Sequence, residues 1–157
     1  MLLIGAAEPI ELEVDQITAR FDQPEITATL REVGIGSPAA LLATWVTDRA
    51  GLERYADGAP AVTDDNPRIE YAAWVRPGEF AGVLPRVLAL RTDPPFHGAN
   101  DAFRAAVAEE RERLRTFYEA ALYAYRGERE LWARALRRVL SEDGGNPYYR
   151  WIVGADR

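Results

Sequence analysis

Apolar residues recur at helical spacing along most of this chain, in short segments that end at glycine and restart at a capping residue or a proline. Asp22, Ser37 and Asp48 are each placed to accept hydrogen bonds from the first turn of a helix. Pro24 and Pro38 suit such a first turn. The first third of the chain therefore predicts a series of compact helices, over residues 16–22, 22–34, 37–46 and 48–58.

Two segments carry a strand pattern instead. Residues 2–6, LLIGA, form a short apolar run that is typical of a buried strand. Residues 68–75, RIEYAAWV, alternate in polarity as a strand with one buried face does. We expect the two segments to share one small sheet. A helix is then predicted over 80–91, and the loop over 92–100, TDPPFHGAN, is the best candidate for a domain boundary.

The last third of the chain predicts a helical hairpin. A long amphipathic helix is expected from Asp101 to Arg126 and a second helix from Glu128 to Ser141, with Gly127 between them. The turn GGNP, 144–147, then starts a third helix. Aromatic residues mark a groove on the hairpin that is a candidate partner-binding surface: Phe117, Tyr125 and Trp132.

Composition excludes several classes of function. The net charge is −6, which argues against binding to nucleic-acid phosphates. The chain has no cysteine and a single histidine, His97, so thiolate metal sites and multi-histidine metal sites are excluded. No apolar run approaches the length of a membrane span, so we expect no membrane insertion and a soluble, cytoplasmic segment. All 19 basic residues are arginines, which indicates coding bias and gives a single arginine little weight as a site.

Carboxylates in the segment TDDNPRIEY, 63–71, are the candidate catalytic residues. Asp64 and Asp65 could act as an acid and a base or hold a magnesium ion, and Glu70 lies on the strand that follows. Adjacent acids before Asn-Pro are also ordinary turn-forming residues, and we favour that interpretation. The chain contains no glycine-rich nucleotide loop, no nucleophile elbow and no zinc-protease motif.

The order of elements up to TDDNPRIEY resembles the C-terminal portion of bacterial spermidine synthase-like proteins, which are often fused to a membrane transporter-like half. The similarity covers residues 2–74 and includes LLIGAAEPIELE, PEITATLREVGI and the segment that starts at PAALLATW. The matching positions are Leu2–Gly5, Thr63–Asp65, Pro67, Arg68 and Glu70–Tyr71.

Together, the helical pattern and this resemblance predict a mostly helical α/β fold. The resemblance implies that residues 1–91 are the C-terminal piece of a class I S-adenosylmethionine-type doubly wound sheet, and the pattern places a helical hairpin, residues 101–157, behind it. The hairpin resembles a tetratricopeptide unit in ALYAYRGERELW and NPYYRWIVG, although Trp132 stands where that repeat prefers alanine. The family's aminopropyltransferase site binds decarboxylated S-adenosylmethionine through upstream elements that have no counterpart here. No cofactor is therefore expected for this chain.

Three functions follow in order of preference. The first is a segment without chemistry of its own that completes the sheet of a spermidine synthase-like polyamine enzyme and offers a helical docking surface. Its partner would be the remainder of a longer parent chain, anchored in the membrane, or a second copy. The second is a stand-alone adaptor that binds a protein through the hairpin. The third is an enzyme that uses the carboxylates of Asp64, Asp65 and Glu70.

Overall fold

The computed structural model describes residues 11–59 and 79–153, and these residues are mostly helical. In chain order the elements are β1 (Leu12–Glu13), α1 (Val14–Phe21), α2 (Pro24–Glu32), α3 (Pro38–Ala43), α4 (Arg49–Ala56), α5 (Phe80–Leu88), β2 (Phe96–His97), α6 (Asp101–Arg126), α7 (Arg129–Asp143) and α8 (Pro147–Val153). A mostly helical α/β architecture is thereby confirmed. The expected strands at 2–6 and 68–75 lie outside the described residues and stay predictions.

Side-chain caps set the start of three helices. The Ser37 hydroxyl accepts a hydrogen bond from the Ala40 amide at 3.0 Å, and an Asp48 carboxylate oxygen accepts one from the Gly51 amide at 2.9 Å, as predicted. Asn100 caps α6 in the same way, through the Phe103 amide at 2.8 Å. These bonds satisfy amides that have no partner inside their own helix.

The prediction that Asp22 caps the second helix is wrong. Asp22 ends α1 instead, and its amide donates to the Thr18 carbonyl. The residue before α2 is Gln23, whose side chain makes no capping hydrogen bond. Pro24 explains the difference. It occupies the first helical position, where its fixed φ angle suits the helix, so the cap falls on the residue immediately before it.

Other helix bounds differ from the sequence prediction by a few residues. Helix α1 begins two residues earlier than predicted, at Val14, and α5 ends at Leu88 rather than Arg91. Helix α7 runs to Asp143 rather than Ser141. The segment 92–100, predicted as loop only, contains β2. The long helix α6 has the predicted bounds, and Gly127 ends it at a φ of +74°, in the left-handed conformation that glycine favours.

The described sheet consists of β1 and β2, which pair in parallel. Leu12 lies opposite Phe96 and Glu13 opposite His97. Parallel pairing needs a long connection between the strands, and here α1 to α5 belong to that connection. The pairing brings residues 95–97 against residues 12–13, which lead directly into α1.

Helix α6 contributes to two hydrophobic clusters. In its N-terminal half, Val107 packs with Ala39 and Leu42 of α3, and Phe96 and Phe103 cover this cluster. In its C-terminal half, Phe117 packs with Val139 of α7 and Tyr149 of α8 in the second cluster. The Phe117 and Tyr149 rings are 4.9 Å apart, and burial raises the pKa of Tyr149 to about 12. Because α6 packs into both clusters, it connects residues that precede the predicted boundary at 92–100 with residues that follow it.

A buried asparagine joins α2 to α8. The Asn146 side-chain amide donates to the Gly34 carbonyl at 2.9 Å, and its oxygen accepts from the Tyr148 amide at 3.1 Å. Gly34 has a φ of +82°, and a Cβ added there would lie 2.4 Å from the Asn146 oxygen and 2.8 Å from the Tyr148 Cβ. Position 34 therefore requires glycine for its conformation and for this close approach.

Replacing Gly34 with alanine is expected to lower the free energy of unfolding by about 3 kcal/mol, because strain at positive φ adds to a steric clash at Asn146. Gly36→Ala is the matched control, since nothing lies within 4 Å of a Cβ at that position. The control should change stability by no more than about 0.5 kcal/mol. Urea denaturation followed by circular dichroism measures both. Equal effects at the two positions would contradict this description of the α2–α8 junction.

Candidate functional site

The candidate carboxylates Asp64, Asp65 and Glu70 lie outside the described residues, so their proposed chemistry stays a prediction. His97 is exposed in β2, opposite Glu13. Within 11–59 and 79–153, no group of three or more histidine, aspartate or glutamate side chains is placed to hold a metal ion. No helix in that part of the chain has the length and hydrophobicity to cross a bilayer.

The three predicted partner-binding residues occupy different environments. Phe117 is only 7% exposed and lies in the second hydrophobic cluster, so it supports the hairpin from inside. Tyr125 is 55% exposed and Trp132 is 38% exposed. Tyr125 lies in the last turn of α6 and Trp132 near the start of α7, and Leu131, next to Trp132 in sequence, is 39% exposed. We call Tyr125, Leu131 and Trp132 the hairpin-end surface.

Basic residues accompany the hairpin-end surface. Residues 129–138 of α7, RELWARALRR, contain several arginines and one glutamate, in a chain whose net charge is −6. Arg129, Arg134 and Arg137 are exposed. The surface therefore combines large apolar side chains with positive charge, a composition that is common at protein-binding surfaces.

A separate cleft of about 450 Å³ lies between α6 and the segment that leads into β2. Arginines are its main polar residues: Arg91, Arg104, Arg111 and Arg115. Asp93 and Glu112 are the acidic residues in its lining, and Pro94, Phe96, Val107 and Ala108 are the apolar ones. We call this the arginine cleft.

Backbone carbonyls hold two of the arginines in place. Arg91 donates to the carbonyls of Ala43, at 3.2 Å, and Arg111, at 3.4 Å. Arg111 in turn donates to the carbonyls of Trp45, at 3.4 Å, and Thr92, at 2.9 Å. Ala43 is the last residue of α3, where carbonyls lack partners within the helix. The two guanidinium groups thus fasten the end of α3 and segment 91–92 to the middle of α6.

Carboxylates compensate only part of the positive charge of Arg91 and Arg111 in the arginine cleft. The pKa of Arg91 is lowered, first by burial and then by repulsion from Arg111. Asp93 lies 3.9 Å from Arg111 but its side chain is 99% exposed, so water screens the pair. Two guanidinium groups of like charge therefore lie close together with weak neutralisation from the described carboxylates.

A second cleft, of about 440 Å³, has more acidic than basic residues in its lining. Its lining includes Arg31 and Arg113 together with three acids, Glu110, Glu142 and Asp143. Arg113 forms ion pairs with Glu110 at 2.8 Å and with Glu109 at 3.3 Å. Since carboxylates already neutralise Arg113 and acids outnumber arginines in the lining, this cleft offers less to an anionic ligand than the arginine cleft does.

Comparison with known proteins found no match, either among protein-family models, among curated proteins or among solved structures. The resemblance to spermidine synthase-like proteins stays a prediction, and the segments that carry it most directly, 2–5 and 63–71, lie outside the described residues.

Sequence reasoning missed the arginine cleft. Because every basic residue is an arginine, the sequence analysis gave single arginines little weight. The spacing of three arginines nonetheless indicated part of the cleft. Arg104, Arg111 and Arg115 are separated by seven and four residues, which places them on one face of a helix. No local pattern connects that face with Arg91, which reaches it only through the tertiary fold.

Loss of the Arg111 guanidinium is expected to destabilise the fold. Arg111→Gln removes the donors to the Trp45 and Thr92 carbonyls, and the expected loss is about 2 kcal/mol in the free energy of unfolding. Arg115→Gln is the matched control, since Arg115 lies one turn along the same helix and its ion-pair partners among the described residues are Glu112 and Glu119. Such surface pairs contribute about 0.5 kcal/mol. Thermal denaturation of both variants checks the difference, and a larger loss for Arg115→Gln contradicts the role assigned to Arg111.

Proposed function

We propose that this chain is a protein-docking module and that the hairpin-end surface is its binding site. The observation that carries the proposal is the exposure of three large apolar side chains at the adjoining ends of two helices, Tyr125 in the last turn of α6 and Leu131 and Trp132 near the start of α7. Large apolar side chains exposed at a protein surface mark interaction sites, and tryptophan and tyrosine are frequent among the residues that dominate binding energy.

The hairpin supports such a surface with a fixed framework. Leu136 and Val139 of α7 are buried, and Val139 packs against Phe117 of α6 and Tyr149 of α8. The exposed residues therefore project from helices that are already ordered by their opposite faces. A rigid surface loses little conformational entropy on binding, which favours affinity.

The positive charge of residues 129–138, the first part of α7, specifies the partner. Exposed arginines at 129, 134 and 137 flank Leu131 and Trp132, so a partner segment with carboxylates beside an apolar anchor complements the surface. We therefore propose an acidic amphipathic segment as the bound element. It belongs to another protein, to a longer parent chain or to a second copy, and both the docking role in a spermidine synthase-like protein and the adaptor role use this same surface.

A peptide display selection tests the proposal. Peptides selected on the wild-type chain should be enriched in aspartate and glutamate next to aromatic or aliphatic residues. Trp132→Ala should weaken the selected peptides about thirtyfold, the effect of losing an interaction of about 2 kcal/mol. Fluorescence anisotropy with labelled peptides measures the change.

Tyr55→Ala is the control, because Tyr55 is also 38% exposed and lies on α4. It should leave affinity within about twofold, as expected for a residue outside the interface. The proposal fails if the selected peptides are not acidic, or if Tyr55→Ala weakens them as much as Trp132→Ala does.

A further inference from the structure

The lining of the arginine cleft carries an excess of positive charge. Four arginines and two acids, Asp93 and Glu112, give the lining a formal charge of +2. Glu112 is already paired with Arg115, which also binds Glu119. For Arg91 and Arg104, no carboxylate among the described residues lies within the 4.0 Å of an ion pair. The excess is therefore concentrated on Arg91, Arg104 and Arg111.

The fold orients these arginines before any ligand arrives. Backbone carbonyls hold the Arg91 and Arg111 guanidinium groups, and each group retains further N–H donors beyond the two that these bonds use. Arg104 is held differently, with its guanidinium carbon 5.2 Å from the centre of the Phe96 ring. Guanidinium groups fixed in this way match the geometry of phosphate and carboxylate oxygens.

Part of the cleft is apolar. The Phe96 ring lies in the lining with Pro94, Val107 and Ala108, and Pro94 and Val107 are buried. The volume of about 450 Å³ lies within the range of sites for small molecules, which is about 300 to 1,000 Å³. A ligand that matches the whole lining therefore has a compact anionic group and an apolar or aromatic part.

We propose that the arginine cleft binds a small organic phosphate monoester, with the phosphate at Arg91, Arg104 and Arg111 and the apolar part against Phe96. A phosphate monoester carries a charge of about −2 near neutral pH, which balances the formal charge of the lining. A dicarboxylate carries the same charge on two separate groups, so the test compares the two. The proposal is independent of the docking function, since the two sites share no residue.

Isothermal titration calorimetry with phenyl phosphate, inorganic phosphate and succinate tests this site on the full chain. Phenyl phosphate should bind saturably with one site. It should bind about tenfold more tightly than inorganic phosphate, because its ring buries apolar surface against Phe96. Succinate should bind more weakly than phenyl phosphate.

Arg104→Gln is the diagnostic variant. Arg104 is exposed and its guanidinium group makes no hydrogen bond to the backbone among the described contacts, so replacing this side chain should leave the fold intact. It should weaken phenyl phosphate about tenfold, as expected for one charge-assisted contact. Arg49→Gln is the control, since it removes the same charge from α4 and Arg49 is 88% exposed beside Glu53.

Three results would overturn the proposal. The first is a lack of saturable binding by phenyl phosphate. The second is an equal loss of affinity in Arg104→Gln and Arg49→Gln, which shows that only the overall charge matters. The third is tighter binding of succinate than of phenyl phosphate, which shows that the cleft selects separated carboxylates. Selective weakening by Arg104→Gln, with the predicted order of ligands, supports the site.

Discussion

The rest of the described structure depends on one long helix, α6, which packs into two separate hydrophobic clusters. Helix α6 presents Val107 to α3 near its start and Phe117 to α7 and α8 nearer its end. The arginine cleft lies along the first part of this helix, and the hairpin-end surface combines Tyr125 from its last turn with Leu131 and Trp132 of α7. Both proposed sites therefore include residues of α6, although they use different residues and different chemistry.

Local signals explain how much of the fold could be predicted from the sequence. Ser37 and Asp48 cap their helices as expected, and α6 has its predicted bounds because Asn100 and Gly127 are strong start and stop residues. The contact between Asn146 and Gly34 joins residues 112 positions apart, and no local pattern encodes it. Strand β2 was missed for the same reason, since two residues in a proline-rich segment become a strand only by pairing with β1.

The sites were harder to predict than the helices. Helical periodicity placed Phe117, Tyr125 and Trp132 on one hairpin but could not tell which of them other helices cover. Helix α8 decides this, because Tyr149 covers Phe117 while the turn at Gly127 leaves Tyr125 and Trp132 at the surface. The arginine cleft depends on segment 91–96 packing on α6, so it is a property of tertiary structure. Helical spacing does place Arg104, Arg111 and Arg115 on one face, but because every basic residue is an arginine, the sequence analysis gave these positions little weight.

The most direct test of this account is whether the two hydrophobic clusters unfold together. Val107→Ala weakens only the first cluster, by about 2 kcal/mol, and native-state hydrogen exchange then reports the stability of each helix separately. If α6 joins the clusters into one cooperative unit, the amides of α7 should lose as much protection as those of α3. Wild-type protection in α7, together with lowered protection in α3, would contradict the account.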